Sequence, residues 1–186
     1  MALNSERNRN SLIRIFPQLG TDVNFEILSP CTPIYNCIAW AMQYDDRWVT
    51  ISKGPGYWWP DGVERNVSSE ALVHAFEAEG FVMADDHKAE DGFDKVVLYK
   101  KADKDEWTHA ARIISETKEY SKFGQAWDGT HSDNVLCVTS IGCENQSYGV
   151  AYAYMKRKKR FSGARLEGSI SVNETLLNKI KSLLRK

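Results

Sequence analysis

Tyr35-Asn36-Cys37-Ile38-Ala39-Trp40-Ala41 is the stretch on which the fold turns. It follows a loop with Pro30 and Pro33, and its small and apolar residues suit a helix with a cysteine in the first turn. The expected helix opens at Asn36, carries Ile38, Ala39, Trp40 and Ala41 into the core and stops near Asp45. At a helix N-terminus, unpaired backbone N–H groups and the positive end of the dipole favour a thiolate. Asn36 can also aim its amide at a developing oxyanion, beside the Cys37 N–H. Most free cysteines are simply small buried apolar residues. Cys37 therefore needs a partner before it counts as a nucleophile.

Trp107-Thr108-His109-Ala110-Ala111-Arg112 offers one. It reads as a strand over 108–114 whose alternate residues face opposite sides, with a histidine at its start. An imidazole folded against a thiol can take or return its proton. Ser115-Glu116-Thr117-Lys118 then joins this strand to a second over 119–123, as in an antiparallel hairpin. Ser121, twelve residues after His109, falls across that hairpin and is the candidate orienter of the imidazole. Gln125 and Asp128 are alternatives for that role, and His131 competes with His109 itself. Of the remaining candidates, His74 falls within a helix and His87 in an acidic loop, while Cys137 reads as core and Cys31 and Cys143 as loop residues.

Working outward, residues 5–16 suit a helix ended by Pro17, and 25–28 a short edge strand. Residues 44–66 read as a long loop centred on Gly54-Pro55-Gly56-Tyr57-Trp58-Trp59-Pro60. Tyr57, Trp58 and Trp59 are the candidate wall of a substrate groove, with one indole expected in the core and the other toward the groove. A helix over 69–79 is framed by Ser68 as N-cap and Gly80 as stop. Strands are expected over 95–99 and 148–155, helix or strand over 134–139, and an amphipathic helix over 173–184. The expected class is α+β: N-terminal helices that include the nucleophile helix, an antiparallel sheet and a C-terminal helix. Residues 1–160 are expected to form the domain, with 161–186 a helical extension packed on it.

Bulk properties narrow the functional classes. The 186 residues carry 24 Lys and Arg against 25 Asp and Glu, so no global field argues for nucleic acid or an anionic membrane. The basic run Lys156–Arg160 reads as a solvated strand end rather than a binding patch. No apolar run approaches the ~20 residues of a membrane span. The polar N-terminus lacks a secretory pattern, so a cytoplasmic protein with reduced thiols is expected. The four cysteines form no C-x-x-C pair, and no Gly-rich phosphate loop occurs; neither a metal nor a cofactor is expected.

Tyr35-Asn36-Cys37 resembles the Tyr/Phe-Asp-Cys at the nucleophile helix of bacterial cell-wall amidopeptidases in the papain-like clan. Those enzymes add a strand-borne His and a third polar residue about a dozen positions on; the resemblance puts these roles on His109 and Ser121. Tyr120-Ser121-Lys122-Phe123-Gly124 is also similar to the Asn-Ser-Trp-Gly of papain relatives. The oxyanion glutamine of papain falls on Cys31, so that donor is absent. A broader resemblance, over about residues 10–158, is to a family of uncharacterised, mainly bacterial domains. It rests on Pro33, Tyr35–Ala41, Tyr57–Pro60, Glu70–Phe76, Gly92–Tyr99, Thr108–Arg112 and Ser121–Gly124, and implies no established activity.

The resulting expectation is a papain-like thiol enzyme acting on a protein or peptide. Cys37 would be the nucleophile, His109 the base and acid, Ser121 the orienter and Asn36 the oxyanion donor. Peptide or isopeptide hydrolysis, amide hydrolysis and deamidation share this acyl-transfer chemistry. The alternative is a non-catalytic protein-interaction domain of the same fold that binds through its aromatic loop.

Overall fold

A computed structural model of the chain describes residues 2–137 and 147–159. The expected C-terminal helix and extension, and Cys143, lie outside the described residues. Within them the architecture is α+β, with three α-helices and a seven-stranded antiparallel sheet in the order β1-β8-β7-β6-β5-β9-β4.

The N-terminal segment supplies α1 (Glu6–Ile13), a 3-10 turn (Pro17–Gly20) and β1 (Glu26–Ser29). Next come α2 (Cys37–Ala41), the two-residue strands β2 (Trp48–Val49) and β3 (Tyr57–Trp58), α3 (Ser69–Ala78) and β4 (Val82–Met83). The rest of the sheet is β5 (Phe93–Lys100), β6 (Trp107–Ser115), β7 (Lys118–Lys122), β8 (Asp128–Ser132) and β9 (Val150–Lys158). The expected nucleophile helix is thus a single short helix, ending at Ala41 rather than near Asp45. Gln43, at positive φ, turns the chain away just beyond it.

α3 shows the local rules at work. The Ser68 hydroxyl accepts from Ala71 N at 3.2 Å, and Gly80 adopts a φ of 83°, so the cap and stop fall where the sequence puts them. Its buried face, Ala71, Leu72, Ala75 and Phe76, packs with α2 on one face of the sheet against Val96, Leu98, Ala110 and Met155. The opposite face carries Val97, Tyr99, Ala111 and Ile113. Alternation along β6 separates the two sets. A third cluster joins Leu12, Phe16, Leu19, Phe25, Ile27, Phe123 and Leu136 around the β1 edge.

Four strands, β2, β3, β4 and β8, escape the sequence pattern. β8 is polar throughout, Asp128-Gly129-Thr130-His131-Ser132, yet its first four residues are buried. Gly129 permits the close approach of β1, because a Cβ there would stand 2.7 Å from Glu26 O. The pair β2 and β3 divides the long loop, and these strands run parallel to each other. Residues 134–137 are neither helix nor a full strand; Cys137 forms an isolated bridge with Gly149.

Candidate functional site

Asn36 fixes the start of α2. Its Oδ1 accepts from Ala39 N at 3.1 Å, while Nδ2 donates to Val49 O at 2.7 Å. The side chain is buried and serves as helix cap and as strut to β2. Its amide is thus engaged inward, not presented to an oxyanion as the sequence suggests. Because that cap takes the Ala39 N–H, the N–H groups of Cys37 and Ile38 are the ones it leaves over at the start of α2.

Cys37 is half-buried. Burial pushes its thiol up to about 11, and the nearby N–H groups of Ala110 and Ile38 and the Lys122 ammonium, which favour the thiolate, are outweighed. The five residues of α2 provide little dipole to oppose this. The expected stabilised thiolate is therefore corrected: the resting group is a neutral thiol.

His109 is fully buried on β6. Its ring lies parallel to Tyr148 with centroids 3.7 Å apart, and tilts against Tyr99 at 5.6 Å. Nε2 stands 2.9 Å from Ser121 Oγ, so the orienting contact falls on Ser121. Gln125 is exposed, and Asp128 bonds elsewhere. Burial, assisted by the neighbouring His131, holds the His109 pKa well below its usual value. Its Nδ1 is buried and has no hydrogen-bond partner among the described residues.

His131 does not replace His109; it stands behind it. Ser121 Oγ also lies 2.7 Å from His131 Nε2, and His131 Nδ1 lies 2.9 Å from Ser132 O. Glu119 Oε2 is 3.9 Å from that Nδ1 and accepts from the Tyr99 hydroxyl. The row His109–Ser121–His131 therefore crosses β6, β7 and β8 inside the protein.

Cys37 and His109 share Tyr148 as a neighbour but approach β6 from different sides. α2 rests on the face bearing Ala110 and Arg112: Ala110 packs beside Ile38 and Ala39, and Arg112 Nε donates to Trp40 O at 2.7 Å. His109, one residue earlier, leaves β6 on the opposite face, with Tyr99 and Tyr148. The thiol reaches the Ala110 N–H at the level of the sheet. There the β6–β7 ladder, paired through Arg112↔Tyr120, is not continued toward His109, and the His109–Ser121 contact joins the strands instead.

A second polar cluster, absent from the sequence reading, lies on the α2 side. Lys122 Nζ donates to Thr32 O at 3.0 Å and to Ala126 O, stands 3.8 Å from Asp128 Oδ1 and lies over the Tyr35 ring. The Tyr35 hydroxyl donates to Asp128 Oδ2. A lysine in an otherwise alternating strand gave no hint that it would be fully buried.

The aromatic loop divides. Trp59 is 2% exposed and stacks on Trp107 at 6.2 Å, whereas Trp58 is half-buried, edge-on to Tyr44 and beneath Arg47. Tyr57 is exposed. Val49 of the same ribbon accepts from Asn36, which ties the loop to the start of α2. A cavity of about 480 Å³ lies elsewhere, lined by Gln43, Glu90, Asp94 and Arg112 among others, and touches neither Cys37 nor His109. Among the described residues, no cluster of His, Cys, Asp and Glu could hold a metal ion, and no helix is long and apolar enough to cross a membrane.

No curated protein and no solved structure matches the chain. Residues 26–156, which include both the Tyr35–Ala41 and the Trp107–Arg112 stretches, match the family described as a domain of unknown function, DUF7689, and the protein belongs to that family.

Proposed function

We propose that this domain is a papain-like thiol enzyme that transfers acyl groups from a protein or peptide substrate in a cytoplasm. The observation that carries the reading is the state of His109: Nε2 is held by Ser121, and Nδ1 is buried without a partner among the described residues. A neutral imidazole with one nitrogen tied and the other free is ready to accept a proton. Cys37 and His109 are both neutral at rest, so the base acts during attack rather than holding a preformed thiolate.

In this reading the Cys37 proton passes to His109 as sulfur attacks the substrate carbonyl. Backbone N–H groups at the start of α2 receive the developing oxyanion. The departing amine takes the proton from His109, leaving a thioester that water or a second amine resolves. The reading requires thiol and imidazole to meet beside Ala110, where the paired register of β6 and β7 ends. Trp58 and Tyr57 would form the substrate side of the ribbon tied to Asn36.

The elevated thiol of Cys37 favours a second reading, a protein-interaction domain in which Cys37 and His109 are core groups. A peptide acyloxymethyl ketone, which alkylates a thiol paired with a base, separates the two. Mapped labelling should fall on Cys37 and drop by about 10²-fold or more in His109→Ala, the typical worth of a general base. Labelling confined to exposed Cys31, or unchanged in a folded His109→Ala, would establish the interaction domain instead.

A further inference from the structure

Three buried side chains on adjacent strands form one hydrogen-bonded row, and its polarity follows from its far end. His131 Nδ1 lies 2.9 Å from the carbonyl oxygen of Ser132. A carbonyl only accepts, so Nδ1 carries the hydrogen. Burial keeps the His131 ring neutral, lowering its pKa to about 4, so its Nε2 presents a lone pair. Ser121 Oγ, 2.7 Å away, must donate its single hydrogen to that lone pair. The hydroxyl then has only acceptor capacity left toward His109 Nε2, 2.9 Å away on the other side. His109 Nε2 therefore carries a hydrogen, and its Nδ1 is the bare atom.

We propose that His131 is a positioning residue that acts through Ser121 to hold His109 in its Nε2–H tautomer. Its role in catalysis rests on the reading of His109 as the base, whereas the tautomer itself does not. A serine between two imidazoles has no inherent direction, since its hydroxyl rotates freely. Ser132 O and His131 supply the direction. This explains how a serine, a weak orienter by itself, can fix an imidazole. It also explains why a second histidine is fully buried on a polar strand. The opposite tautomer of His109 would set two lone pairs toward one hydroxyl hydrogen, leaving a buried acceptor unsatisfied.

The closing experiment reads tautomers directly, by two-bond ¹H–¹⁵N correlation spectra of the histidine rings near neutral pH. Wild-type His109 should be Nε2–H by about tenfold or more over Nδ1–H, the scale of one buried hydrogen bond. His131→Ala frees the Ser121 hydroxyl to donate to His109, so the Nδ1–H form should rise several-fold. His131→Gln, whose side-chain oxygen can accept near the position of Nε2, should restore the wild-type preference. If His131→Ala does not fold, Ser121→Ala serves, and should also relax the tautomer. An Nδ1–H His109 in the wild type overturns the proposal, as does a preference unchanged in a folded His131→Ala or, where that variant does not fold, in Ser121→Ala. An Nε2–H His109 in a protein whose Cys37 ignores the acyloxymethyl ketone would sink the enzyme reading and leave the positioning intact.

Discussion

The Tyr35 hydroxyl donates to Asp128 Oδ2 at 2.6 Å, binding the residue two before Cys37 to β8. Lys122 completes this buried cluster, 3.8 Å from Asp128 Oδ1. Removing one member of a buried ion pair strands the other charge. Lys122→Ala should therefore cost about 3–5 kcal/mol, whereas Lys122→Met combined with Asp128→Asn should recover most of it. Urea midpoints at pH 7 decide this, and a Lys122→Ala midpoint equal to wild type would show that the pair contributes nothing.

The His131–Glu119 neighbourhood predicts an unusual acid limb. Folding lowers His131 from 6.5 to about 4 and holds His109 well below its usual value, both chiefly by burial. Their contribution is complete above pH 6.5 and is lost as pH falls toward 4. Burial raises Glu119 in the opposite sense, from 4.5 to about 7. Its contribution is present below pH 4.5 and is lost as pH rises through 7. Between these limits the unfolded chain gains two histidine protons and the folded chain one carboxyl proton. Stability should rise with pH by about one proton's worth, ~1.4 kcal/mol per pH unit. Glu119→Gln removes the opposing group and should roughly double that slope in urea melts between pH 4.5 and 6.5. An unchanged slope would mean that Glu119 is ionised throughout.

Cys37 should behave as a buried thiol toward a simple alkylator. With its pKa raised to about 11, its reaction with iodoacetamide should be slow near neutrality and still climbing at about pH 10. Exposed Cys31, whose thiol donates to Gln125 O at 3.2 Å, should label first. Peptide mapping across this pH range tests the order. Labelling of Cys37 ahead of Cys31 at about pH 6 would reveal a preformed thiolate and an ion-paired His109.

What the sequence made legible follows from local chemistry. Ser68 and Gly80 announce α3 because a cap and a positive-φ stop are local requirements. The β6–β7 hairpin, and with it the His109–Ser121 contact, follows from alternation and a short turn. β8 was illegible because a strand buried among polar partners shows no apolar period, and its burial depends on Tyr35 and Lys122 from distant segments. The state of Cys37 was illegible for the same reason: position at a helix start suggests a thiolate, but packing decides the dielectric around the sulfur. Likewise, the strand alternation that locates His109 does not tell which face α2 will cover.

Trp58 and Trp59 give the sharpest separation of fold from surface. Trp59 packs in the main core, stacked on Trp107, while half-buried Trp58 shares Arg47 with Tyr44 at the rim. Truncating a fully buried indole removes packing that the surroundings cannot refill, so Trp59→Ala should cost about 3–5 kcal/mol. Trp58→Ala loses a cation–π contact and part of an exposed face, about 1 kcal/mol, with the urea midpoint close to wild type. If the ribbon contacts substrate, Trp58→Ala should lower acyloxymethyl ketone labelling of Cys37 at wild-type stability. Equal destabilisation of the two variants would instead make the whole ribbon a plug of the core, and the substrate side of the domain would then lie away from β3.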